Sequence, residues 1–423
     1  MKEISMKLIR KLQMEHLVYV LLLVPFLLGC LNELLGLPRA IRYVMDIAWC
    51  MLLVLAVLRG RQIDLGEVKF HAVWVCGFLV YTLIVYVFLF QSPFYYLWGF
   101  RNNFRFYAAF FAFVIFMTPS SAEKVLQWFD VLFWVNFVVS LVQFFGFGIK
   151  QDYLGGIFGT ESGVNGYTNI FFLIIVSKSL VFYLEGQEKL GVFVAKCVAA
   201  LVVSVLAELK FFFVEFLVVL VMAVFFIKFK MKNLWIVLAG FAAAIIGAAV
   251  LSKLFPDFQN WFSIKWLVQE ASADHGYSYG NDLNRLTAIP MINDLWLTDP
   301  LQRLFGLGMG NCDTSSFSLV NTPFFQEYGQ MHYNWLSYAI MYLECGCFGL
   351  LFYMGFFALV FCFAHKLQKN CEGKAKMYCQ LVKIIAPFCC LISIYNSSLR
   401  VESGYMMYFV LALPFLAPQS VRK

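Results

Sequence analysis

His332 is the histidine best placed for chemistry in this 423-residue chain, in the run Met331-His332-Tyr333-Asn334-Trp335. A neutral imidazole accepts a proton near pH 7, so His332 reads as a general base. It reads equally as an interfacial histidine at a helix start, between the aromatic-belt neighbours Tyr333 and Trp335. Arg101 and Arg105 lie one helical turn apart and so share a face. Lys210 separates two long apolar runs, and Arg285 and Arg303 stand in a polar stretch. Taken singly, each reads as a snorkelling or salt-bridged cation, Lys210 pairing with Glu208 or Glu215. Taken together, they suit an anionic ligand, because guanidinium forks match phosphate oxygens.

The stretch 304–311 places Gly306, Gly308 and Gly310 at alternate positions. Glycines so spaced permit positive φ and close backbone approach. No strand–helix unit surrounds them, so they are not a dinucleotide fingerprint; they read as a tight loop that positions the next segment of the chain. Cys345 and Cys347 flank Gly346, and a Cys-x-Cys pair without further ligands reads as packing. No metal and no cofactor are expected.

The elements that must hold these residues are apolar. Of the chain, 62% is hydrophobic and 13% charged, against about 25% charged in a soluble domain. The apolar residues come in runs of about 17 to 25, the length that crosses ~30 Å of hydrocarbon as a helix. They show no alternation of period two, so helices rather than a barrel are expected. Spans fall at about 15–36, 41–58, 70–90, 103–118, 128–148, 167–184, 190–207, 211–229, 234–253, 346–365, 379–396 and 403–418. The fold class is thus an all-α polytopic membrane protein with about twelve transmembrane helices. Residues 1–253 hold the first nine. Residues 254–331 form a long, partly helical extracytoplasmic loop between helices 9 and 10, with a helical stretch at 283–297. Residues 332–423 hold the last three. The first apolar run lacks a clean cleavage site, so no removable signal peptide is expected.

Orientation follows from the short loops. With the N-terminus inside, the inner segments carry Lys2, Lys7, Arg10 and Lys11, then Arg59, Arg61 and Lys69, then Lys124, then Lys189. Lys228, Lys230 and Lys232 follow, then Lys366, Lys369, Lys374 and Lys376, and finally Arg422 and Lys423. The outer links carry fewer: Arg39, Arg42, Arg101, Arg105, Lys150 and Arg400. Both termini are expected in the cytoplasm, with His332 and the long loop outside. The net charge of +7 reflects this bias and gives no argument for nucleic acid.

The segment 281–355 carries a further pattern. Arg285 is followed by Asp299-Pro300-Leu301, the Gly306, Gly308 and Gly310 turn, then His332, Asn334 and Glu344-Cys345-Gly346-Cys347-Phe348-Gly349. This resembles the signature region of the O-antigen ligase/polymerase family, most closely its capsule and exopolysaccharide polymerases, in which a residue such as Tyr333 separates the His and Asn. Gly163, Asn165 and Asn169 at the sixth span agree with it. Lys210 departs from it, standing where many members carry a Ser-Arg pair.

The resemblance implies a glycosyltransferase in the bacterial cytoplasmic membrane. Its donor and acceptor would be glycans on undecaprenyl diphosphate, or, for a ligase, the acceptor would be lipid A core. His332 and Arg285 are the expected catalytic residues. Arg101, Arg105, Lys210, Arg303, Asn334, Asn165 and Glu344 are expected to bind diphosphate or sugar. The cations would serve in place of a divalent metal, membrane lipids would surround the helices, and a chain-length regulator stands as an open partner. A lipid-linked oligosaccharide flippase is the rival of another class; it needs charges in a central cavity rather than at the outer edge. A major-facilitator carrier is a poorer match, since its long loop lies inside between spans six and seven.

Overall fold

The computed structural model describes residues 2–33, 35–37, 41–58, 66–227, 234–254, 282–315 and 320–416. Of the basic residues expected inside, Arg59, Arg61, Lys228, Lys230, Lys232, Arg422 and Lys423 lie outside the described residues, as do Arg39, expected outside, and residues 255–281 of the long loop. The fold is helical throughout, with no strand among the described residues. The first nine helices are α1 (Lys2–Glu33), α2 (Ile41–Leu58), α3 (Lys69–Phe88), α4 (Pro93–Phe116), α5 (Pro119–Leu141), α6 (Asn165–Leu184), α7 (Leu190–Leu206), α8 (Lys210–Phe226) and α9 (Leu234–Leu254). Three short helices follow, α10 (Ala288–Leu295), α11 (Pro300–Phe305) and α12 (Pro323–Tyr328). The chain closes with α13 (Ser337–Gln368), α14 (Gly373–Tyr395) and α15 (Gly404–Ala412).

Five helical stretches are long and apolar enough to cross a membrane: Lys69–Phe88, Pro119–Gly146, Asn165–Leu184, Ser337–Gln368 and Gly373–Tyr395. Shorter apolar helical stretches accompany them, among them Tyr43–Leu55, Leu190–Leu206 and Gly404–Leu416. This is the make-up of a membrane-embedded protein.

Burial sorts the helices. The apolar windows of α6 and α14 are 78% buried, that of α3 only 28%, so α6 and α14 are interior and α3 is peripheral. In α4 every residue from Asn102 to Phe113 is buried, which places this helix inside the bundle on all faces. Water drives no helix association in hydrocarbon, so close packing and polar contacts must hold such a bundle. Aromatic edges supply much of the packing: Phe110 meets Phe356 at 5.2 Å and Phe415 at 5.5 Å, both edge-on. A half-buried ionic knot adds to it. Asp130 on α5 accepts from Lys178 of α6 and, at 2.9 Å, from Lys196 of α7, which also reaches Glu188 at 3.0 Å.

Two helix starts differ from expectation, and both matter for the site. The fourth run was expected to become helical at 103, but α4 begins at Pro93, with Ser92 extended and proline in the first turn. Arg101 and Arg105 therefore lie within the helix and not in an outer link; buried carboxylates make that tolerable, which hydropathy does not register. The tenth span was expected at 346, but α13 begins at Ser337. Gly346, at φ 61°, marks a break inside it.

Links expected on one side touch one another. Thr160 donates to Glu33 at 2.9 Å, Asn165 to the Ala207 carbonyl at 3.2 Å, and Gln91 to the Met309 carbonyl. Those expected on the other side do the same: Thr118 donates to Glu15 at 3.0 Å, and Lys374 and Lys376 pair with Glu123 and Glu185, both at 2.5 Å. Lys210 opens α8 directly after a three-residue link, in which Glu208 takes φ 58°.

Candidate functional site

The glycine turn is built against the break in α13. The amides of Leu307 and Gly308 donate to the carbonyls of Leu343 and Glu344 at 2.9 and 2.8 Å. Buried Glu344 accepts from the Cys312 amide at 3.2 Å through Oε1. Gly310 has φ 82°, and a Cβ there would lie 1.9 Å from the Tyr95 carbonyl of α4. The turn is thus clamped between α4 and α13, with no room for side chains. Gly310→Ala is expected to lower the melting temperature of the detergent-solubilised chain, overpacking alone costing roughly 1–3 kcal/mol. Gly163→Ala, with similar φ but open space, is the control and loses less.

His332 is joined to this frame through the cap, the segment 282–336 that carries α10 to α12. Trp296, Phe324 and Tyr328 cluster on buried Tyr333, whose hydroxyl donates to the Cys312 carbonyl at 2.6 Å. His332 itself is held at φ 54°, a left-handed conformation that is costly for a residue with a Cβ and concentrates at functional sites. Its Nδ1 lies 3.0 Å from Oδ1 of buried Asp282, and its ring stacks on Trp335 at 3.8 Å. Nε2 carries no hydrogen bond to the described residues, and the side chain is 30% exposed. A carboxylate on Nδ1 fixes the tautomer that leaves Nε2 as the base.

The expected cations do not converge on one point. Arg303 bonds the Leu297 carbonyl at 2.9 Å and the Asn293 carbonyl at 3.5 Å, tying α11 to the end of α10. Arg285 donates through Nε to the Tyr395 carbonyl at 3.0 Å and lies 4.3 Å over the Tyr395 ring, which stacks on Phe211. Lys210 is within electrostatic range of Arg285, Glu208 and Asp152. Asn165 joins that group, donating to Asp152 at 2.9 Å. Glu215, weighed as a partner for Lys210, is instead buried on α8 beside Asn169.

Arg101 and Arg105 belong to a second cluster. Both bind Asp46 of α2, Arg101 through Nε at 2.8 Å and Arg105 through Nη1 at 2.9 Å. Arg105 also reaches Glu402 at 3.3 Å and the Arg400 carbonyl at 2.5 Å. Tyr405 donates to Asp46, and Tyr167 to Glu402. Arg400 in turn binds Asp313 at 2.9 Å, and Asn102 donates to the same oxygen at 2.6 Å. Arg101 stacks between Tyr43 and Trp98, at 4.8 and 5.0 Å. Tyr43, Trp98, Arg101, Asn102, Arg105, Asp313, Arg400 and Glu402, with Asn334, line a cavity of about 270 Å³, with Asp46 and Tyr405 behind its wall.

One short link ties the parts together. Tyr395 holds Arg285, Asn396 accepts from the Ser337 amide and hydroxyl, and Ser397, Arg400 and Glu402 wall the cavity. Residue types and spacing pointed to Arg101 and Arg105 here, and the family resemblance to Asn334, but both missed Asp46, Asp313, Glu402 and Asp282 as site residues, and Arg400 was counted only as a loop charge. The one signal the sequence held was a scatter of acids near apolar ends, which names no partner.

Fold and site together define an all-helical, membrane-embedded protein with a polar pocket and a His–Asp pair among its links. No protein-family model matches the chain, and no curated protein matches it.

Proposed function

We propose that this chain polymerises undecaprenyl-diphosphate-linked oligosaccharide repeat units at the outer face of a bacterial cytoplasmic membrane, in O-antigen, capsule or exopolysaccharide synthesis. Twelve crossings with both termini in the cytoplasm belong to the same reading, as do membrane lipids around the helices and a chain-length regulator as partner. The observation that carries it is the arrangement at one set of links: the His332–Asp282 pair, the clamped glycine turn and two separate cation clusters, joined through residues 395–402.

The chemistry is a displacement at an anomeric carbon. An acceptor hydroxyl attacks that carbon, the bond to the diphosphate oxygen breaks, and its electron pair leaves with the diphosphate. The hydroxyl proton passes to Nε2 of His332, and Asp282 steadies the imidazolium that forms. Lys210 and Arg285 face the negative charge that develops on the leaving group. Glu344 holds the glycine turn in place, and Arg303 holds the cap; both act as positioning residues.

Purified protein in lipid vesicles, supplied with the host's lipid-linked repeat units, is expected to yield a ladder of lengthened lipid-linked glycans. Turnover is expected to persist in EDTA, since the cations serve the leaving group. Loss on chelation with recovery on added divalent metal would sink that part. Transfer only to lipid A core would favour a ligase, and movement of lipid across the bilayer without new glycosidic bonds a flippase.

A further inference from the structure

The cavity lined by Arg101, Arg105 and Arg400 carries three guanidinium groups, yet its charge is balanced. Asp46 takes Arg101 and Arg105, Glu402 takes Arg105 again, and Asp313 takes Arg400. Three cations meet three carboxylates, all six held by hydrogen bonds of ordinary or short length. A diphosphate entering here would have to expel a carboxylate from its guanidinium, and it would face the remaining carboxylates as like charges.

A sugar ring meets neither obstacle. Each hydroxyl both donates and accepts, so it can donate to a carboxylate and accept from an arginine N–H without breaking the pairs. The Nε atoms of Arg105 and Arg400 are closed off from this space, so the sugar's donors are the outer N–H edges of Arg101 and Arg400, whose side chains are 21% and 10% exposed. Asn334 lines the same space, and its side-chain amide supplies a further polar edge. Tyr43 and Trp98 line the same space and give apolar edges for the C–H faces of a ring. The volume, about 270 Å³, is at the small end of ligand pockets and matches a single ring better than a lipid diphosphate.

We propose that this charge-balanced pocket is the subsite for the acceptor sugar and not part of the diphosphate clamp. The assignment to the acceptor comes from Asn334, which lines the pocket two residues after His332, the base that must meet the attacking hydroxyl. The inference rests on the polymerase reading above.

The test is isothermal titration calorimetry on the detergent-solubilised full chain with two probes. One is the phosphate-free oligosaccharide released by mild acid from the host's own lipid-linked glycan. The other is inorganic pyrophosphate. The oligosaccharide is expected to bind, pyrophosphate is expected not to compete with it, and trimming its non-reducing terminal sugar is expected to abolish binding. Asp313→Asn and Asn334→Ala should each weaken the oligosaccharide by about tenfold, the loss of one good hydrogen bond to a polar or charged group. If the pocket holds an anion, Asp313→Asn has the opposite effect: it frees Arg400 and tightens pyrophosphate. That result overturns the proposal, as does pyrophosphate competition in the wild-type chain, or no oligosaccharide binding there. Equal binding of the trimmed sugar overturns the acceptor assignment. Failure of the polymerase reading is visible separately, as oligosaccharide binding by a chain that makes no polymer in vesicles.

Discussion

His332→Ala in the native host is expected to abolish long glycan chains while single repeat units persist. Removing a general base costs about 10²- to 10⁴-fold in rate, enough to collapse a chain-length distribution to its first member. Glycan separated by length gives the readout. An unchanged distribution removes His332 from the mechanism, and lipid-linked polymer accumulating unattached turns the reading toward a ligase. Asp282→Asn should fall between wild type and His332→Ala, because the imidazole keeps its place but loses the carboxylate on Nδ1. A role for His332 in folding alone predicts that both variants lose membrane-inserted protein, which immunoblotting of membranes detects.

Asp46→Ala is expected to cost more stability than Gly310→Ala or any of the substitutions at His332, Asp282, Asp313 and Asn334. Asp46 and Arg105 are both almost fully buried, and the same carboxylate also takes Arg101 and the Tyr405 hydroxyl. Deleting one member of a buried pair leaves the other uncompensated, at about 3–5 kcal/mol. The expected result is a chain that fails to accumulate or melts far below wild type in detergent. Asp46→Asn, which keeps an acceptor oxygen, should lose less. A melting temperature for Asp46→Ala that stays close to wild type would mean that water reaches this node and that the pocket is not closed beneath Arg105.

Some of this was legible from residue types. Apolar run lengths located the helices, including the pair around Lys210, and the sequence motif picked out His332 and Asn334. The Gly346 break was readable as a boundary, since a span was expected to start there, although the helix runs through it from Ser337. What composition does not carry is pairing at long range. Asp46 finds Arg105 across 59 positions, and Arg105 finds Glu402 across 297. A hydropathy window therefore leaves Arg101 before the span and starts α4 about ten positions late. The same blindness hides Asp282, which gains meaning only when the cap brings it to His332. It also merged five cations into one clamp, when contacts separate Arg303, the Lys210–Arg285 pair and the arginines on Asp46.

The order in which the pocket's walls are made has a consequence for biogenesis. A ribosome supplies Arg105 and its partner Asp46 early, Asp313 and Asn334 much later, and Ser397, Arg400 and Glu402 close to the end. The early pair can neutralise itself as soon as α2 and α4 meet, so the growing chain need not hold a lone buried charge. The pocket, by contrast, has no far wall until the link before α15 arrives. A chain stopped before residue 397 would carry a bundle and a histidine but not the last wall of the pocket, so an incompletely synthesised copy would lack the site until its closing segment is made.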